Sequence, residues 1–427
     1  MRCLWLTLAD PDLPTNGQYL YSGGLIKALA SAGGEVHVVA LARPDGRRHH
    51  GLHERNIRWS LGGHRPGSKY RSLFSSMPIH VARTSTPAMR RLLRDKLAGL
   101  HWDAVIFDSI TPGWALRSVA RHCSAAGDNA PVVGYVAHNH EGRLSAEVAK
   151  IESRWLKRWM RQLDAAKMRR VERMLIRHAS FVTAISLEDC SLFDAEWPDK
   201  SIIALSPGYG GQYVAERRIG VEMPRRAVIL GSFDWSAKRA NLREFLRAAV
   251  PLFETAAVEL QVVGNAETQF LDKLRGEFPT VDFTGRVDDI APYLCQARVA
   301  IATERIGGGF KLKVLDYVFH RVPIVALDGS ITGVPLHEGE NIRLCSDERL
   351  LARTVIQIID DVETLNRMQD SAYRACRPMF DWAGRGQQLL RQLHRSVLAS
   401  RQAGVRTRRT AATGGTAHEM FDSQARG

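Results

Sequence analysis

Two doubly wound α/β domains in tandem are what this 427-residue sequence predicts, and three observations predict them. Short apolar runs alternate with helix-like segments along almost the whole chain, the pattern of βαβ units with parallel sheets. The series stops near "SIIALSPGYG" and starts again after Arg226. A composition of 45% hydrophobic and 24% charged residues is that of a globular chain long enough for two full cores.

In the first series the strands read "RCLWLTL", "EVHVVAL", "DAVIFDS", "PVVGYVAH" and "FVTAIS". Pro207, Gly208, Gly210 and Gly211 then break the chain. In the second series the strands read "AVILGSF", "VELQVVGN", "VDFTGRV", "ARVAIATE", "VPIVAL" and "NIRLCS", separated by helical segments such as "RANLREFLRAAVPLF". The expected organisation is a first domain over residues 1–205, a second over 206–380, a final helix over 381–399, and a tail over 400–427. The tail is poor in apolar residues and rich in Gly, Ala, Thr and Arg, and it is expected to be disordered.

The segment "SRWLKRWMRQLDAAKMRRVERMLIRHAS" reads as one long amphipathic helix with Trp155, Trp159, Leu163, Val171, Met174 and Leu175 as its apolar residues. Packing against the sheet would account for that stripe, and its basic faces and tryptophans also suit an anionic bilayer. Charge is concentrated in the first half. Residues 43–101 carry thirteen Lys/Arg against three Asp/Glu, and residues 143–178 carry eleven against four. Such a patch suits an anionic partner: a membrane surface, a phosphorylated acceptor or nucleic acid. No DNA- or RNA-binding motif and no interleaved aromatic platform accompanies it, so nucleic acid is not the expected partner. No run of eighteen apolar residues and no signal-peptide pattern is present, which predicts a cytoplasmic protein, peripheral to the inner membrane face where the basic half attaches. The six cysteines stand singly, without zinc-like or disulfide spacing, and no metal is expected.

The stretch "VAIATERIGGGFKLKVLDYVFHRVPIVAL" places three glycines and two lysines between an apolar strand and an apolar helix. In an open α/β sheet, ligands bind beyond the carboxyl ends of strands, where loops enter helix N-termini. Gly307 to Gly309 permit close backbone approach, the helix offers unpaired N–H groups, and Lys311 and Lys313 add positive charge, a combination suited to phosphate. No Gly-Lys-Ser/Thr follows, so a nucleotide-hydrolysis loop is not expected. A second basic strand-to-helix loop, "VILGSFDWSAKRANLREFL" with Lys238 and Arg239, precedes it in the same domain. Two such loops suit a diphosphate, and Asp316, two helical turns beyond the glycines, could accept hydrogen bonds from a ribose diol.

These stretches, with "LPTNGQYLYSGGLIKALASAGGEVHVVAL", "VAHNHE", "VTAISLEDCSLF" and "GVPLHEGENIRLC", resemble in their order the GT-B glycosyltransferases, and within them the retaining family 4 enzymes (group 1). The resemblance implies two Rossmann-like domains with an interdomain cleft, a nucleotide-sugar donor on the second and a glycan or lipid-linked acceptor on the first. It implies donor-diphosphate binding by Lys238 and Lys313 with the amides of Gly308 and Gly309, and no cofactor. Transfer would retain configuration by same-face attack, with the leaving phosphate taking the acceptor proton. A histidine beside the transferred sugar is implied too. His138, with Asn139 and Glu141, is the better match and His140 the competitor. Gly17 would approach the diphosphate or sugar, or simply make a tight turn, and Ser186 would line the site or cap a helix. Trp382 would open a last helix returning to the first domain.

Two positions depart from the family pattern. Where many members carry paired glutamates seven residues apart, this chain has Gly308 and Asp316, and the spacing of Glu304 does not match. A catalytically silent relative, a basic anion-binding module and a nucleotide-sugar epimerase are the competing readings.

Overall fold

The computed structural model of the chain describes all residues except 12–16, 44–55, 64–65, 69–71, 73–74, 234–235, 305–309 and 423–427; for 151, 236–237 and 403–422 it describes the backbone alone. The chain forms two compact units, Met1–Leu205 with Trp382–Gly427, and Ser206–Asp381.

The first unit is built on seven parallel strands, β1 (Arg2–Ala9), β2 (Glu35–Leu41), β3 (Ile57–Gly62), β4 (Ala104–Asp108), β5 (Val132–Ala137), β6 (Phe181–Ala184) and β7 (Ser201–Ala204). Their order in the sheet is β3-β2-β1-β4-β5-β6-β7. Five correspond to the apolar runs of the sequence. The two others are the edges, and each lacks the signal for a physical reason. "IRWSLG" of β3 is largely half-exposed, and "SIIA" of β7 is four residues long with no buried member.

The second unit holds β8 (Arg226–Leu230), β9 (Glu259–Val263), β10 (Asp282–Gly285), β11 (Val299–Ala302), β12 (Ile324–Leu327) and β13 (Arg343–Cys345). All pair in parallel, in the order β10-β9-β8-β11-β12-β13. Its central strands are covered on both faces, as a doubly wound sheet requires. Ala227, Ile229, Val299 and Ile301 enter one apolar cluster, and their neighbours Val228, Leu230, Ala300 and Ala302 enter the other. Buried Arg298 and half-buried Arg217 tie the entry segment down: Arg298 donates to the carbonyls of Val221, Met223 and Ile359, and Arg217 to those of Cys295, Ala297 and Arg321.

In the first unit the final helix, Trp382–Asp422, packs on the helix Gly17–Ser31. Trp382 lies 6.5 Å from Tyr21, ring to ring. Two glycines permit the contact. A Cβ on Gly24 would sit 2.2 Å from the Trp382 ring, and one on Gly386 would sit 2.0 Å from the Ala28 carbonyl oxygen.

The helix Trp155–His178 buries Val171 and Leu175 and packs half-buried Met174 on the core, as the stripe predicts, but leaves its first three members exposed. Trp155 is 80% exposed, Trp159 56% and Leu163 45%, so sheet packing does not account for them. No helix among the described residues is long and apolar enough to cross a membrane.

Because the obstacle at Gly386 is backbone and cannot swing aside, Gly386→Ala should cost about 1–3 kcal/mol despite the better helix propensity of alanine. Urea unfolding of the variant should show a lower midpoint for the first unit; an unchanged or higher midpoint would mean that the two helices do not approach this closely.

Candidate functional site

Both sheets reverse their strand order, between β1 and β4 in the first unit and between β8 and β11 in the second. Crossovers on either side of such a point leave toward opposite faces, so the loops part and open a crevice beyond the strand ends.

In the second unit the crevice side chains come from the loops that follow β8 and β11. Glu304, two residues beyond β11, is buried, and its carboxylate accepts a 2.8 Å hydrogen bond from the Lys313 ammonium. Lys238 lies 3.7 Å from the same carboxylate and Lys311 3.9 Å. Lys313 also donates to the carbonyl of Leu230, the last residue of β8, at 3.3 Å, and so bridges the two strands at the reversal. Three ammoniums meet one carboxylate, leaving a formal excess of two positive charges. Burial pushes the Glu304 carboxyl up, but the charges of Lys313 and Lys238 outweigh it and hold its pKa below the usual range. Burial lowers the ammoniums of Lys311, to about 8, and Lys313, with Glu304 opposing the fall in both. The helix Leu312–Phe319 begins here with Lys311 at its N-cap and no side-chain cap, so its first amides add to the positive end.

The resemblance implies that Lys238 and Lys313 face the donor diphosphate, and the spacing of Glu304 sets it aside. In the structure Lys313 is only 15% exposed and Glu304 is the hub that gathers all three lysines. A family spacing conceals this; a carboxylate among lysines at the end of an apolar strand is the signal that could have found it. Arg239 turns elsewhere, to Glu267 at 3.0 Å and over the Phe270 ring. Gly308 and Gly309 lie outside the described residues. Asp316 is half-buried and accepts a 3.0 Å hydrogen bond from the Tyr209 hydroxyl, a partner sequence reasoning missed. Burial raises its carboxyl to about 6, against the opposing hydrogen bond from Tyr209.

In the first unit, Asp108 ends β4 and His138 follows β5, which pairs beside it. His138 Nε2 and Asp108 Oδ1 are 2.6 Å apart, both groups buried. The other Asp108 oxygen accepts from Trp5 Nε1 at 2.9 Å. Burial pushes Asp108 up, yet His138 and Trp5 outweigh it and hold the pKa below the usual carboxylate range. An ionised carboxylate only accepts, so Nε2–H donates to it. Tyr21 meets the His138 ring edge-on at 5.0 Å.

Asn139 donates to Glu141 Oε1 at 3.1 Å, and burial raises the Glu141 carboxyl despite that bond and nearby His138. His140 is the N-cap of the helix Glu141–Ile151 and stacks on Phe193 with centroids 4.6 Å apart. Glu172 accepts from the Glu141 and Gly142 amides, each at 2.8 Å, and burial raises it to about 8. Ser186 caps its own helix by accepting from the Asp189 amide. Gly17 is exposed and begins the helix Gly17–Ser31, rather than lying in the loop before it. Among the described residues no group of three or more His, Cys, Asp or Glu could hold a metal ion.

The two Rossmann-like sheets with this strand order define the GT-B class, and solved structures share the fold across almost the whole chain. Sucrose-phosphate synthase of Thermosynechococcus elongatus aligns over 94% of this chain and 100% of its own at a TM-score of 0.66 and 18% identity. Anabaena HepE in complex with UDP and glucose aligns over 92% and 99% at 0.62 and 16% identity. The lipopolysaccharide glycosyltransferase WaaG aligns over 91% and 98% at 0.60 and 12% identity. Within that fold, residues 224–361 of the second unit match the model of the family Glycosyl transferases group 1. No curated protein sequence matches the chain.

Asp108→Asn should weaken the first unit by about 2 kcal/mol, the scale of a charged hydrogen bond. The depressed pKa makes the contribution of Asp108 present above the ordinary carboxylate range and lost as pH falls through its folded value. Urea midpoints measured from neutral pH downward should therefore converge for wild type and variant only in strong acid; a constant gap would deny that Asp108 is the ionised partner.

Proposed function

We propose that this protein transfers a sugar, with retention, from a nucleotide diphosphate sugar to a hydroxyl of a lipid-linked or polysaccharide precursor, acting from the cytoplasmic face of a membrane. The observation that carries the reading is the meeting of Lys238, Lys311 and Lys313 at the strand reversal of a group 1 domain, beside an uncapped helix N-terminus. A diphosphate would bring two negative phosphates to these ammoniums. As the glycosidic bond breaks, negative charge grows on the departing nucleoside diphosphate, and fixed ammoniums in a half-dry crevice stabilise it without reorganising. That charge comes from the chain itself, so the reading calls for no metal ion and no cofactor. Gly308 and Gly309 would bring their amides to the same phosphates.

Asp316 is assigned to the ribose hydroxyls, exchanging or sharing its bond from Tyr209. His138 is assigned to the sugar or acceptor hydroxyl because Asp108 orients its ring, whereas His140 is engaged in capping and stacking. Asn139 and Glu141 extend that polar edge, and Gly17 leaves the nearby helix start without a side chain. The basic first half favours an acceptor held at an anionic membrane.

Calorimetric titration with UDP, GDP, ADP and their sugar conjugates tests the donor site, and the likeness to a UDP-bound protein puts UDP first. One diphosphate should bind, and Lys313→Ala or Lys238→Ala should lower transfer by on the order of 100-fold while leaving the fold intact. Full activity in either folded variant would remove the diphosphate assignment.

Asp316 adds a pH dependence whose sign follows from its raised pKa. Its stability contribution is present below the ordinary carboxylate range and lost as pH rises through about 6, the price of forming the carboxylate that ribose needs. Nucleotide-sugar affinity should therefore rise between about pH 5 and about pH 7, and Asp316→Asn should flatten that rise. An acid limb of equal slope in the variant would assign the titration to another group.

A further inference from the structure

The first turns of the helix Trp155–His178 are exposed on every side: each residue from Ser153 to Leu163 is open to solvent. Five large apolar side chains stand there, with Trp155 at 80% and Leu156 at 53% exposure. Their arrangement is ordered. Wound at about 100° per residue, Trp155, Leu156, Trp159, Met160 and Leu163 fall within an arc of about 140°, and Arg154, Lys157, Arg158 and Arg161 within about 100° on the opposite side. The segment has no acidic residue.

Further along the same helix, buried Ala165, Met168, Val171, Leu175 and Ile176 lie on the side of the cations. The exposed apolar arc therefore points away from the body of the first unit and is not an extension of its core. Arg161 pairs with Glu152 at 3.1 Å, and no ion pair engages Arg154, Lys157 or Arg158 among the described residues. An apolar arc backed by a basic face has a matching counterpart in the interface of an anionic bilayer, where the arc enters the acyl boundary and long basic side chains reach the headgroups.

We propose that Ser153–Leu163 is a membrane-insertion element that docks the first unit on anionic lipid, tryptophans inward. The proposal deepens the reading of a membrane-held acceptor and rests on it for biological purpose, but its test is independent of the donor site.

The full chain should co-sediment with vesicles of phosphatidylcholine doped with phosphatidylglycerol and not with phosphatidylcholine alone. Its tryptophan fluorescence should be quenched by brominated lipid in the doped vesicles. Trp155→Glu/Trp159→Glu and Lys157→Glu/Arg158→Glu should each lower vesicle partitioning by at least about tenfold. Both pairs are exposed, so circular dichroism should show an unchanged fold, and the quenching in wild type is a readout that needs no variant. Partitioning that survives both double substitutions, or an absence of quenching, overturns the proposal. Self-association of the wild type, abolished by Trp155→Glu/Trp159→Glu without any vesicle binding, also overturns it by making a second copy the occupant. Nucleotide titration of the same variants separates the two readings: vesicle binding lost with nucleotide affinity intact is the expected result, and vesicle binding in a chain without nucleotide affinity overturns the donor assignment alone.

Discussion

A parallel sheet that reverses its strand order cannot close its own carboxyl edge. This constraint acts twice in the chain, at β1/β4 and at β8/β11, and the chemistry of each unit is gathered at its reversal. Everything around the reversal is fixed by burial: the strands of the second unit place alternate residues in two apolar clusters, so their register and direction are fixed tightly. Polar groups at the ends of such strands or just past them inherit that precision. Glu304 and Asp108 both sit there, and each holds its partners from a rigid base rather than from a free loop.

The contents of the two crevices differ in sign. In the second unit a buried carboxylate would be costly alone, and three ammoniums so close together would repel one another; each makes the other tenable. The result is a positive cluster already oriented before any ligand arrives. In the first unit the buried charge is the Asp108 carboxylate, satisfied by His138 and Trp5 and by no lysine or arginine in those contacts. That arrangement orients a histidine ring rather than assembling a group of lysines. One fold repeated thus supplies a cation cradle and a hydrogen-bonding edge.

How much of this the sequence displays depends on burial. The central strands of the second unit are legible because both faces are covered and the apolar runs are continuous, and its edges β10 and β13 are legible from the apolar residues in and beside them; β3 and β7 lack that signal, since an edge strand needs neither. Lys238 and Lys313 are legible as basic residues in strand-to-helix loops, but their common partner is not, since the contact of Glu304 with Lys238 depends on β8 and β11 being neighbours. The Asp316–Tyr209 bond is hidden for the same reason, as its partners are distant in sequence. The helix Trp155–His178 shows a subtler limit. Its apolar residues form two arcs on different sides, one buried and one exposed, and a single stripe drawn through Trp155, Leu163 and Leu175 merges them. Amphipathicity is visible in a sequence; which arc meets the core is set by the neighbours.

On the proposed reading, Glu304 has a role beyond holding lysines. Each phosphate of a nucleotide sugar carries about one negative charge, so the donor brings about two, equal to the excess the cluster leaves after Glu304. The ground state is then balanced rather than over-bound. Cleavage of the sugar–phosphate bond adds negative charge to the leaving group, and the cluster answers it at once from the Lys238 ammonium, held 3.7 Å from Glu304 rather than in a close hydrogen bond with it. Interactions that strengthen only as charge develops raise the rate, whereas uniform binding of the donor would not. The carboxylate thus orients the three cations before the donor arrives, so the field that meets the developing charge needs no reorganisation.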